Sequence, residues 1–323
     1  MNILIIGTGA IGSFYGSLLA KAGHRVSVLA RSDFEIIKDR GIRLTSDTPL
    51  GQWHFMPAEV IRDQGTLTVE PDIILLCTKV LESLDRVALV RPYVGPSTAI
   101  GLLSNGVEIE APIQEAFKDH EIISGLAFIC VTRTHPGTIW HQSYGHVTLG
   151  NYPCGISEKT RLLAESFELS GIKALATENI VTARWQKCVW NAAFNPLSVI
   201  SGGLNTQEML AFLNPLIRSI MDEVMKIAAA AGHPLEHGVP DQQIEGTLNM
   251  PAYRTSMLND YESFREMEIE AILGNTVRAA ERVGVAHPHL ATLYQLMTCK
   301  AQRESRKPRI TPAPKEALEN ASH

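Results

Sequence analysis

Six residues near the start of the chain limit its fold more than any others: Gly7-Thr8-Gly9-Ala10-Ile11-Gly12. They follow an apolar run from Asn2 to Ile6 and open a helix-forming stretch from Ala10 to Ala22, after which Arg25 to Ala30 alternates like a second strand. Glycines at this spacing allow a tight turn and the close approach of a pyrophosphate, and the helix N-terminus adds unpaired amides. A glycine-rich turn that merely packs helix on strand could carry the same letters. Placement at residue 7 of a βαβ unit favours the dinucleotide site, with all six residues as candidate cofactor ligands.

The end of the second strand bears on which dinucleotide. NAD enzymes tend to place an acidic residue about 20 positions after the glycines to bind the ribose 2′-OH. Here Arg31 stands in that place, and a guanidinium can pair with the 2′-phosphate of NADP. Asp33, two residues later, keeps NAD open as the alternative.

Asp72 to Cys77 and Thr98 to Leu103 are short, nearly unbroken apolar runs of the kind central parallel strands show, so a doubly wound α/β sheet is expected. Ligands of such sheets lie beyond the carboxyl ends of the strands, where Lys79 and Asn105 stand. A solvated lysine and a simple Asn-Gly turn are the plainer explanations. Glu121 to Gly150 is rich in β-branched and aromatic residues around His135-Pro136-Gly137, which predicts an antiparallel hairpin at the sheet edge. Gly171 to Ala176 reads as the last strand, and beyond it the periodicity is helical. The expected division is a cofactor-binding domain over 1–176, an all-α substrate domain over 177–302, and a disordered tail over 303–323.

Composition narrows the function. With 45% hydrophobic and 20% charged residues, the chain has no apolar run near the roughly 18 residues of a membrane helix. No leader pattern is present, and the five cysteines are widely spaced without a Cys-x-x-Cys pair. The expectation is a cytoplasmic protein with reduced thiols, no metal site and no membrane role. A net charge of -5 argues against nucleic acid as a partner.

The segment Asn179 to Ser201 is largely apolar, yet Lys187, Asn191 and Asn195 recur at spacing four and share a helical face with Ala183 and Phe194. That face should look into a cleft rather than bulk water, although a surface stripe would also fit. Ser256 to Arg282 reads as one long helix on which Glu268 projects among Met257, Tyr261, Phe264, Ile272 and Ala279, with Glu266 and Glu270 opposite. A buried glutamate needs a partner, and Lys187 is the natural one; a structural salt bridge is the alternative.

Taken together these residues resemble the ketopantoate reductase family over residues 1 to about 300. The resemblance rests on the glycine motif, Arg31, Cys77-Thr78-Lys79, Asn105-Gly106, the block Lys187 to Leu197, Asn205, Ser256-Met257 and Glu268. It implies a Rossmann-type domain followed by a helical domain like that of 6-phosphogluconate dehydrogenase. It further implies reduction of 2-dehydropantoate to pantoate with NADPH, a step toward pantothenate and coenzyme A, with a homodimer as one assembly open to it. On this resemblance Lys187 is the proton donor and Glu268 holds either Lys187 or the substrate hydroxyl in place. Asn191, Asn195, Asn205 and Ser256 hydrogen-bond the hydroxy acid, and Lys79 and Asn105 bridge from the cofactor side, the groups meeting on hinge closure. Some members carry asparagine where this chain has Tyr253, which keeps another small 2-keto or 3-hydroxy acid open as substrate. A non-catalytic NADP-binding sensor would need no proton donor.

Overall fold

The computed structural model describes residues 1–62 and 65–305 of the chain. Among these residues ten strands form one sheet: β1 (Asn2–Ile6), β2 (Arg25–Leu29), β3 (Ile42–Ser46), β4 (Gln52–Phe55), β5 (Val60–Ile61), β6 (Ile73–Leu76), β7 (Ala99–Leu103), β8 (Ile122–His135), β9 (Thr138–Asn151) and β10 (Ala174–Ala176). The order is β4-β3-β9-β8-β7-β6-β1-β2-β5, with β10 also paired to β9. Every pairing from β5 to β8 is parallel. Winding reverses between β1 and β6, so the crevice beyond their carboxyl ends is the ligand position of such a sheet.

β1, β6 and β7 are almost wholly apolar because helices cover both faces. On one side α1 (Ala10–Lys21) and α5 (Glu158–Leu169) contribute Phe14, Leu18, Leu163 and Phe167 to the core; α2 (Phe34–Arg40) adds Ile37. On the other, α3 (Arg86–Val90) and α4 (Ala111–Ala116) contribute Leu89, Val90 and Ile113. Each such side chain is worth about 1.5–3 kcal/mol of burial.

From Ile180 onward the described chain is helical: α6 (Ile180–Ile200), α7 (Thr206–Ala230), α8 (Val239–Leu248), α9 (Ser256–Glu262), a π-helical turn over Glu270–Gly274, α10 (Asn275–Val283) and α11 (Pro288–Ser305). Its core gathers around Trp185, Phe194, Met221, Ile272, Leu290 and Met297. No described helix is long and apolar enough to cross a membrane.

The α/β reading with a helical second part holds, and four details change. The β8–β9 hairpin turns at Pro136-Gly137 as expected but is not at the sheet edge, because β3 pairs with the first half of β9 and carries β4 outside it. The β3–β4 pair itself has no counterpart in the sequence reading. The expected helix over 256–282 is broken: Phe264 takes a φ of +54°, and the Arg265 amide returns to the Asp260 carbonyl at 2.8 Å, ending α9. Finally, α11 continues through Arg303 to Ser305, and the rest of the expected tail lies outside the described residues.

Candidate active site

The glycine motif forms a cradle at the carboxyl end of β1. Gly7 has a φ of +102°, and a Cβ there would meet the Thr78 amide nitrogen at 3.1 Å. A Cβ on Gly12 would lie 2.0 Å from the Gly7 carbonyl oxygen, so only glycine lets α1 pack this close. Gly9, at the N-cap of α1, faces open space, and no side chain caps the helix. Thr8 is buried, and its carbonyl accepts from Ser13 Oγ at 3.1 Å, which fixes the loop; Ala10 and Ile11 start the helix. Thr78 Oγ1, against the same loop, is buried without a partner among the described residues. An open glycine, uncapped amides and an unpaired hydroxyl fit a dinucleotide pyrophosphate.

Arg31 is exposed just past β2 and makes no ion pair among the described residues. Asp33, the competing acid, is 2% exposed and held by Arg133 Nη1 at 2.9 and 2.8 Å to its two oxygens, with Ser32 Oγ at 2.7 Å. Its carboxylate is committed to the hairpin, which leaves the guanidinium of Arg31 as the group facing outward at the strand end.

Lys187, Asn191 and Asn195 lie on one face of α6, and both asparagines are buried at 7% and 2% exposure. Lys187 Nζ donates to Asn105 Oδ1 at 2.9 Å and to the Ala127 carbonyl at 2.6 Å, and stands 5.1 Å above the Phe128 ring. Burial and the cation of Arg184 push its pKa down to about 7, against the opposing pull of Glu268. Glu268 is buried and accepts from the Val80 amide at 3.1 Å and from Asn105 Nδ2 at 3.5 Å. Burial raises its pKa, partly offset by the Val80 amide and by Lys79. Lysine and glutamate therefore meet through Asn105 rather than in the direct pair the sequence suggested.

Lys79 Nζ is tied to Asp260 Oδ2 at 2.6 Å across the cleft between sheet and helices. Ser256 is exposed at the start of α9. The Asn205 side-chain oxygen caps α7, accepting from the amides of Gln207 and Glu208, both at 3.0 Å. Tyr253 is joined to Thr206 there: the Thr206 amide donates to the Tyr253 carbonyl and the Tyr253 amide donates to the Thr206 side-chain oxygen Oγ1, each at 3.0 Å. The Tyr253 hydroxyl meets Cys130 of β8.

The model of the family described as "Ketopantoate reductase PanE/ApbA" matches residues 3–153, and its C-terminal companion matches residues 179–301. The chain belongs to the ketopantoate reductase family. It is thus an oxidoreductase of the nicotinamide-dinucleotide kind. A relative named 2-dehydropantoate 2-reductase from Nostoc sp. is 32% identical over 90% of this chain and 92% of its own. The crystal structure of 2-dehydropantoate 2-reductase from Methylococcus capsulatus superposes with a TM-score of 0.91 at 56% identity, covering 95% of this chain and 99% of the other. A ternary structure of D-mandelate dehydrogenase with NADH and anilino(oxo)acetate shares the fold with a TM-score of 0.84 at 23% identity, covering 95% and 100%.

In this ketopantoate reductase family member the sequence reading passed over Arg184, Asp260 and the Val80 amide. Arg184 was within reach, since it stands three residues before Lys187 on the same helical face. Asp260 carried no signal of its own, because its partner Lys79 is 181 positions away. Among the described residues no cluster of His, Cys, Asp and Glu could hold a metal ion.

Proposed function

We propose that this chain reduces the 2-keto group of 2-dehydropantoate to the hydroxyl of pantoate with NADPH, in the cytoplasm, with Lys187 as the proton donor. One observation carries the proposal: two of the three N–H groups of the Lys187 ammonium are taken by Asn105 and Ala127, which leaves the third for a substrate oxygen. With its pyrophosphate held by the glycine cradle, a reduced nicotinamide dinucleotide would supply the hydride for the ketone carbon. Lys187 delivers a proton to the oxygen that becomes negative, and a pKa of about 7 suits a proton donor working near neutral pH. Asn105 holds that ammonium and reaches Glu268, so one amide aligns both groups. Asn191 and Asn195 offer amides on the same face, Lys79 is tied across the cleft to Asp260, and Ser256 and Asn205 are the further proposed contacts of the hydroxy acid. Gly7, Gly9 and Gly12 admit the pyrophosphate, and Arg31 is the proposed partner of the 2′-phosphate. The pairing of Asp33 with Arg133 supports that choice.

The test is a panel of 2-keto acids assayed with NADPH and NADH. The kcat/KM for 2-dehydropantoate with NADPH should exceed that of other 2-keto acids by at least about tenfold, equivalent to about 1.4 kcal/mol of transition-state binding. A different preferred acid would keep the chemistry and replace the substrate. No turnover with any acid would favour an NADP-binding sensor. Sedimentation of the same preparation tests the homodimer.

A further inference from the structure

Arg184 lies one turn before Lys187 on α6, and its side chain is 1% exposed. Nη1 donates to the carbonyls of Ser104 at 2.8 Å and Gly106 at 3.1 Å, Nη2 to the Gly125 carbonyl at 3.1 Å, and Nε to Ser124 Oγ at 2.8 Å. Glu110, equally buried, pairs with the guanidinium and accepts from Ser124 Oγ at 2.6 Å. Ser104 and Gly106 flank Asn105, and Gly125 is two residues before Ala127. One planar cation thus joins α6 to the loop after β7 and to the first half of β8, and those segments carry both acceptors of the Lys187 ammonium. A buried ion pair is a weak source of stability on its own. Lysine, a point charge without the fork, could not bridge four acceptors at once.

We infer, building on the reduction by Lys187 proposed above, that Arg184 is a positioning residue for proton transfer, fixing Asn105 and Ala127 as the paired acceptors that aim Lys187 at the keto oxygen. The same cation acts electrostatically. Charged and titratable groups facing Lys187 are Arg184 on its own helix, Glu268 ahead of the π-helical turn, and His146 of β9. Lys79 and Asp260 stand behind Glu268, and Glu110 and Arg86 beside Arg184. Arg184 lowers the proton affinity of Lys187 while Glu268 restores part of it.

Three variants test this. Arg184→Lys keeps the charge and loses the fork. Arg184→Met combined with Glu110→Gln removes both charges, so that no buried carboxylate is stranded. Ser124→Ala removes the two hydrogen bonds of the Ser124 hydroxyl, from Arg184 Nε and to Glu110, and keeps the ion pair, giving a mild variant should the double one not fold. Folding is checked by circular dichroism, and NADPH affinity by fluorescence titration. NADPH affinity should stay within about twofold while kcat falls about tenfold or more in the first two variants and a few-fold in Ser124→Ala, with KM changing less. In a 15N NMR titration of the Lys187 ammonium, the midpoint should stay in place for Arg184→Lys and move up by about one pH unit in the double variant. Unchanged kcat with an unmoved Lys187 midpoint in the folded variants would overturn the inference. The NMR arm needs no substrate, so wild-type protein that fails to reduce 2-dehydropantoate would sink the proposed function while the titration still judges Arg184.

Discussion

At the scale of single residues the site turns on Lys187. Removing its side chain in Lys187→Ala should lower kcat by roughly 100-fold or more, the usual worth of a positioned general acid, and leave NADPH affinity nearly intact. A lysine is an acid only while protonated, and its pKa is lowered to about 7. In the wild type kcat should therefore be level below that pH and fall as pH rises through it. A stopped-flow pH series decides this, and a rate still climbing above pH 8 would assign the acid elsewhere. Arg31→Ala addresses the cofactor: NADPH should bind more tightly than NADH to the wild type, and the variant should lose most of the difference by weakening toward NADPH alone. Equal affinities in the wild type would remove Arg31 from the role. Both residues stand out in the sequence as candidates because each sits at a position that a local rule singles out, four residues from Asn191 or at the end of a strand. Of the two acceptors of Lys187, Asn105 was named from the sequence but not as its partner, and the Ala127 carbonyl was not legible, since backbone groups leave no letter.

At the scale of elements the glycine turn gives a contrast that needs no activity assay. Gly9→Ala adds a methyl that meets nothing within 4 Å, at a backbone φ of -71°, so the melting temperature should hold while NADPH weakens by about tenfold from crowding the pyrophosphate. Gly12→Ala drives a methyl to 2.0 Å from the Gly7 carbonyl oxygen and should destabilise the fold by about 1–3 kcal/mol. Calorimetry with and without NADPH separates the two, and equal melting losses would contradict the division of labour. Most elements could be read from the sequence because strand and helix periods are local. Two failures show the limit. Glu268 was placed on an apolar face by projecting one helix over 256–282, yet that helix breaks at Phe264, which is 82% exposed. The residue is buried for another reason, its contacts with Val80 and Asn105 from the strand ends. Likewise Ile42 and Leu44 alternate with polar neighbours in β3, but the strand it joins begins at Thr138, a pairing no short window contains.

At the scale of the whole molecule, sheet and helices are tied across the cleft by Lys79 with Asp260, the Val80 amide with Glu268, and Ser83 with Glu266. Asp260 is 6% exposed and also holds Arg265 Nε at 3.0 Å. Asp260→Asn should weaken the tie, raising KM for the keto acid by up to about tenfold, or about 1.4 kcal/mol, with a smaller change in kcat. Hydrogen exchange at the Val80 amide should quicken in that variant, and unaltered protection would show that Asp260 does not hold the cleft. The order of the sheet has a separate consequence for how the protein behaves in a crowd. A free strand flank is a template on which another chain can add itself, and long flat flanks lead to aggregates. Here the outermost strands among the described residues are β4 with four residues, β5 with two and β10 with three, while β8 is flanked by β7 only from Ile122 to Gly125 and beyond that pairs with β9 alone. The flank left for a neighbouring molecule is therefore the outer part of β8, where Arg133 and three register shifts against β9 charge and twist the strand and make it a poor seed for its own kind.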